Sequence, residues 1–247
     1  MISNIAQVIL LLIALAFKDT NGNSVFPLSP LEILWVNMIT SSFLALGLGM
    51  EEAQADIMIR QPRDLDVGVF TWELICDKML YGSWAGILCL VSFVIVVYGA
   101  GNGNLGTNCN EEWNSSCDVV FRARATVFGV LSFLLLVTAW EVKHFSRSLF
   151  NLDPARFKGK FSIFKALTYN RFLLWAVVAG FLITFPVIYI PVVNTTVFKH
   201  KAIGWEWGVV FGCLICYVAF VETWKAIKRR CGIWSGMGQT LNIREGV

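Results

Sequence analysis

Charge is scarce in this chain. Asp, Glu, Lys and Arg make up 15% of its 247 residues, against about 25% in ordinary soluble domains. With 56% hydrophobic residues and a mean hydropathy of +0.64, a water-soluble globule is excluded. Histidine occurs only at His144 and His200, which leaves no His-based metal centre and no triad partner for a nucleophile. No Gly-rich loop ending in Lys is present to cradle phosphate; Gly99–Gly106 is a Gly- and Asn-rich turn without Lys. The net charge of +3 implies no nucleic acid partner, because the basic residues have a topological use.

Apolar runs supply what the charges do not. A bilayer span needs roughly 17–25 residues, and six candidates occur at 2–17, 31–49, 80–98, 120–142, 172–193 and 205–224. The expected fold is an all-α membrane protein, a six-span transmembrane helical bundle set in a lipid bilayer. Residues 1–230 form that domain and 231–247 a cytoplasmic tail. Lys and Arg collect in alternate connections, as the positive-inside rule requires. The loop Glu51–Met79 holds Arg60, Arg63 and Lys78. Lys143–Arg171 holds Arg147, Arg156, Lys158, Lys160 and Lys165 besides its two end residues. The tail region holds Lys225, Lys228, Arg229, Arg230 and Arg244. Both chain ends are therefore expected in the cytoplasm. The sequons at Asn114 and Asn194 then fall outside, open to N-glycans. So do Cys109 and Cys117, which are expected to form a disulfide. Cys213-x-x-Cys216 has a redox or zinc spacing, but inside an apolar helix Cys also packs as a small hydrophobe. Gly82-x-x-x-Gly86 permits close helix packing, and Pro186 and Pro191 should kink or end the fifth span.

The first span is short. Met1–Phe17 gives a helix of about 25 Å at roughly 1.5 Å per residue, below the ~30 Å hydrocarbon core. A signal peptide ending at Ala14-Leu15-Ala16 is one reading, though the basic n-region is missing. Asn4 and Gln7 share a helix face, which favours the other reading: a helix that begins upstream of Met1.

The second span carries the polar anomaly. Asn37, Thr40 and Ser41 are spaced i, i+3, i+4 on one helix face, and Ser42 follows. Ser29-Pro30-Leu31-Glu32 reads as a capping box with Pro at the first helical position. Intramembrane polar groups mark a functional site by default. The bland readings are interhelical hydrogen bonding for Asn37 and bonding of Ser41 and Ser42 to carbonyls of the preceding turn. Glu222 and Lys225, i and i+3 at the end of the last span, read as a solvated pair.

Ser3-Asn4-Ile5-Ala6-Gln7, Pro27 to Ser41 and Asp56-Ile57-Met58-Ile59-Arg60-Gln61-Pro62-Arg63 together resemble the membrane region of P-type cation-transporting ATPases. Gly68-Val69-Phe70-Thr71-Trp72-Glu73, Asn114-Ser115-Ser116-Cys117, Ala139-Trp140-Glu141-Val142 and Phe185 to Val192 are similar to the fungal sodium/potassium-exporting (type IID) branch. The resemblance covers essentially the whole chain. It implies that the six spans are helices 5–10 of a ten-helix pump in the plasma membrane.

By that resemblance, cation ligands lie on helices four, five, six and eight. The matching positions here are Asn4 and Gln7, then Asn37, Thr40 and Ser41, then Glu141. The family's calcium pumps carry acids where Gln7 and Ser41 stand. A site of neutral oxygens with one carboxylate suits monovalent cations, Na+ or K+, better than a divalent ion. Glu141, close to Lys143 at its span end, also has an interfacial reading. The family's Asp-Lys-Thr-Gly phosphorylation motif, nucleotide-binding domain, actuator domain and helix-four Pro-Glu turn are not in this sequence. The chain therefore has no catalytic residues and no cofactor of its own; ATP and Mg2+ belong to the full-length family, and the N-terminal part of a pump is the implied partner. The alternative is a free-standing six-span protein that binds ions passively or scaffolds another subunit.

Overall fold

The computed structural model describes residues 1–51, 71–110, 113–143 and 167–231. The basic stretches around Arg60, within 144–166 and in the tail beyond Cys231, and with them His144, lie outside the described residues. Among the described residues the regular structure is helical, apart from one isolated bridge between Lys18 and Ser24.

Six helices run back and forth: α1 (Ile2–Ala14), α2 (Pro30–Gly49), α3 (Trp72–Ala100), α4 (Ser115–Glu141), α5 (Arg171–Tyr189) and α6 (Glu206–Cys231). The last five are long and apolar enough to cross a bilayer. The expected count of six needs correction, because α1 has 13 residues, about 20 Å at 1.5 Å per residue. The chain leaves the helix after Ala14 through tight i→i+3 turns, in which the N–H groups of Ala16 and Phe17 donate to Ile13 and Ala14 at 3.0 Å.

Local chemistry sets the helix starts. The Ser29 Oγ accepts from Glu32 N–H at 3.3 Å, and the Glu32 carboxylate accepts from Ser29 N–H, completing the capping box. Thr71 and Asn170 cap α3 and α5 through Leu74 N–H (3.4 Å) and Leu173 N–H (2.9 Å). Pro186 sits inside α5, which stops at Tyr189 just before Pro191. A π turn over Val193–Phe198 follows.

α4 is the axle of the bundle. In its most apolar 18-residue window 89% of residues are buried, against 22% in α2 and α6, and it packs against α2, α3, α5 and α6. α1 lies along α3, where Gly82 and Gly86 give it room. A Cβ on Gly82 would sit 2.7 Å from Ile5 Cβ, and one on Gly86 3.0 Å from Ala6 O. The small-residue stripe of α3 is therefore the seat of the helix that carries Asn4 and Gln7.

At one end of the bundle Cys109 and Cys117 form a disulfide, with Cα atoms 5.6 Å apart. Arg124 of α4, fully buried, pins the loops there. Its guanidinium donates to Phe26 O (2.8 Å), Cys109 O (2.9 Å) and Asn110 Oδ1 (2.5 Å), so each of its three nitrogens has an acceptor. In the loop after α1, burial pushes the Asp19 carboxyl upward. Backbone N–H groups of Asn23, Asn108, Asn21 and Gly22 outweigh it and hold the group below its ordinary value. Asp19 so ties the loop after α1 to the disulfide loop through Asn108 N–H at 3.2 Å. Glu32 and His200, both fully buried, pair at the same end, beside the pairs Arg122–Glu206 and Lys201–Asp118.

Candidate functional site: a π turn and two buried lysines

The polar face of α2 coincides with a break in its α-helical pattern. Val36–Thr40 is a π turn, in which Ser41 N–H donates to Val36 O, five residues back. Such one-residue widenings often lie at functional sites, though this one is not alone: Ile95–Ala100 and Val193–Phe198 are π turns as well. They redirect backbone carbonyls and side chains that a regular helix would stack. Ser42 Oγ follows the wider spacing, donating to Asn37 O at 3.3 Å.

Asn37 meets α1 across the helix interface. Its Nδ2 donates to Gln7 Oε1 at 3.0 Å. Gln7 is buried, and the pair leaves two buried polar atoms without partners, Gln7 Nε2 and Asn37 Oδ1. Leaving a buried polar atom unpaired in hydrocarbon is costly. Thr40 is buried and Ser41 half-buried on the same turn. The structure thus brings Gln7 of α1 and Asn37 of α2 together beside Thr40 and Ser41. Asn4 is placed differently: it is exposed on α1, and its Oδ1 accepts from Ser3 Oγ at 3.3 Å.

Glu141 is buried at the end of α4 and is already engaged. Lys225 of α6, fully buried, makes an ion pair with its carboxylate, and Lys225 Nζ also donates to Glu141 O at 2.9 Å. Lys143, two residues further on, pairs with Glu51 at 3.0 Å. The reading of Glu222 and Lys225 as a solvated pair is overturned. Lys225 is out of solvent, and Glu222 stands 3.8 Å from its Nζ as a second carboxylate. One turn further along α6, Lys228 Nζ bonds Asp77 Oδ2 of α3 at 2.6 Å, and Trp224 Nε1 bonds Asp77 Oδ1 at 2.8 Å. α6 is thereby clamped to α4 and α3 by two buried ion pairs.

The sequence offered one signal for these pairs. Lys225 and Lys228 are spaced i, i+3, so they share a face of whatever helix contains them. The hydropathy window closed at Trp224, whereas the helix runs to Cys231. Cys213 is buried and Cys216 exposed, and among the described residues no group of three metal-type side chains gathers.

Among the described residues, a bundle of helices with five long and apolar enough to cross a bilayer defines a polytopic membrane protein. The chain belongs to the cation-transporting ATPase family, whose C-terminal region, described as cation transporting ATPase, C-terminus, matches residues 25–227. It is 49% identical over 231 residues to the sodium/potassium exporting P-type ATPase cta3 of Schizosaccharomyces pombe, covering 93% of this chain and 22% of that protein. It is 44% identical over 227 residues to sodium/potassium exporting P-type ATPase 1 of Saccharomyces cerevisiae, covering 92% of this chain and 21% of that protein. Calcium-transporting ATPase 1 of Bacillus cereus is 28% identical over 204 residues, or 82% of this chain and 21% of that protein. The chain thus spans about a fifth of the length of the curated relatives it matches.

Proposed function

We propose that this chain is the ion-handling membrane region of a P-type pump that exports monovalent cations, Na+ and also K+, with ligands drawn from Asn4, Gln7, Asn37, Thr40 and Ser41; Glu141, the remaining position that the resemblance offers, is held by Lys225 and stays outside that set. The observation that carries the reading is the orphaned Asn37 Oδ1 on a π turn, next to Gln7 on the neighbouring helix. Neutral amide and hydroxyl oxygens predominate there, a donor set suited to an alkali cation. The names of the two fungal relatives support Na+ and K+ as cargo. On this reading, ATP and Mg2+ would act in the remainder of a longer pump.

In the plasma membrane the disulfide end faces outward, and the clamped end of α6 faces the cytoplasm with both termini. The basic loops of the sequence support that orientation, as does the disulfide, which suits an oxidising compartment. The test is a chimera in which this chain replaces the matched segment of the Schizosaccharomyces pombe relative. It should restore sodium tolerance to yeast lacking its own exporters. Asn37→Ala should abolish that rescue without lowering the amount of protein at the cell surface.

A further inference from the structure

We infer that Lys225 is a tethered cation filling an oxygen site that would otherwise hold an alkali ion. Its Nζ is surrounded as a bound cation would be: by the Glu141 carboxylate, by Glu141 O at 2.9 Å and by Glu222 Oε1 at 3.8 Å. Lys225 is fully buried and Glu141 almost so. A lone ammonium in such surroundings is stable only because these oxygens replace its hydration shell. An alkali ion needs the same replacement.

The arrangement has a consequence for the pump. Two carboxylates, Glu141 and Glu222, face one ammonium, and the ammonium cannot leave with the cargo because it is bonded to α6. Glu141 then supplies negative charge that stays compensated when the transported ion departs. The number of ions carried per cycle is one fewer than the carboxylates alone would hold. Lys225 is in this sense a specificity-determining residue that sets ion count. The inference rests on the pump reading for the class of ion.

The experiment measures equilibrium binding of 22Na+ and 86Rb+ to the purified chimera described above. Lys225→Met should bind one additional alkali ion per chain. Lys225→Met with Glu141→Gln should return to the parent count, with affinity within about threefold of the parent. A folded Lys225→Met protein with an unchanged count overturns the inference. Where Lys225→Met does not fold, the double variant decides, since removing both members of a buried pair is often tolerated. A double variant that fails to fold, or that binds fewer ions than the parent, also overturns it, because Glu141 would then itself hold cargo. The outcome separates from the pump reading: Asn37→Ala tests that reading whatever the count in Lys225→Met.

Discussion

Single side chains at membrane depth carry most of the chemistry in this protein, and each has a countable set of partners. Asp77 accepts from both Lys228 and Trp224, so removing its charge strands a buried ammonium. Breaking a buried pair from one side costs about 3–5 kcal/mol. Asp77→Asn should therefore lower the thermal unfolding midpoint in detergent, and adding Lys228→Met should recover most of the loss. Equal stability of parent and Asp77→Asn would show that the clamp is not what holds α6. Little of this was legible in the sequence. Lys225 and Lys228 lay just past an apolar run, and only tertiary packing against Asp77 and Glu141 takes them out of water. Asn37 was legible, because an amide inside a greasy helix has no bland place to go except another helix, and Gln7 receives it.

Helices were the more readable level. Apolar runs located all six elements and placed the bounds of α1, α2 and α5 within four residues, whereas α3 starts eight residues before its run and α6 ends seven after; Ser29 to Glu32 specified the start of α2 before any packing was known. The π turn was not readable. It inserts no special residue and lies where Asn37 meets Gln7; further along α2, Gly47 lets α5 come close, a built Cβ there standing 2.9 Å from Leu173 Cδ1. Because a π turn is one residue wider than the α pattern, deleting Met38 should restore regular helix from Pro30 to Gly49. The ends of α2 would stay seated, while Thr40 and Ser41 would rotate relative to Asn37. The chimera should keep its surface expression but lose cation-stimulated ATP hydrolysis by at least about tenfold. Retained stimulation in the deletion variant would mean that the π turn does not set the site.

For the whole molecule, the two ends of the bundle are built differently. Arg124, Asp19 and the Cys109–Cys117 bridge lock the loops at one end, whereas ion pairs from α6 close the other. The six-span expectation fell to five spanning helices plus α1, since hydropathy counts apolar residues but not where the chain turns. The two sequons, equivalent as sequence, are unequal in structure. Asn114 is exposed, whereas Asn194 is buried and its Nδ2 donates to Ile188 O at 3.0 Å. With the disulfide end outside, Asn114→Gln should remove a glycosidase-sensitive mobility shift, and Asn194→Gln should leave it unchanged. A shift lost only with Asn194→Gln would contradict the burial argument.

The central claim is that the π turn and its Gln7–Asn37 contact bind the exported monovalent ion. The most direct measurement is ATP-driven 22Na+ uptake into inside-out vesicles carrying the chimera, with Asn37→Ala alongside. The account predicts uptake by the parent and a loss of at least about tenfold in apparent sodium affinity for Asn37→Ala, at equal protein and intact fold. Uptake by Asn37→Ala with unchanged sodium dependence would contradict it.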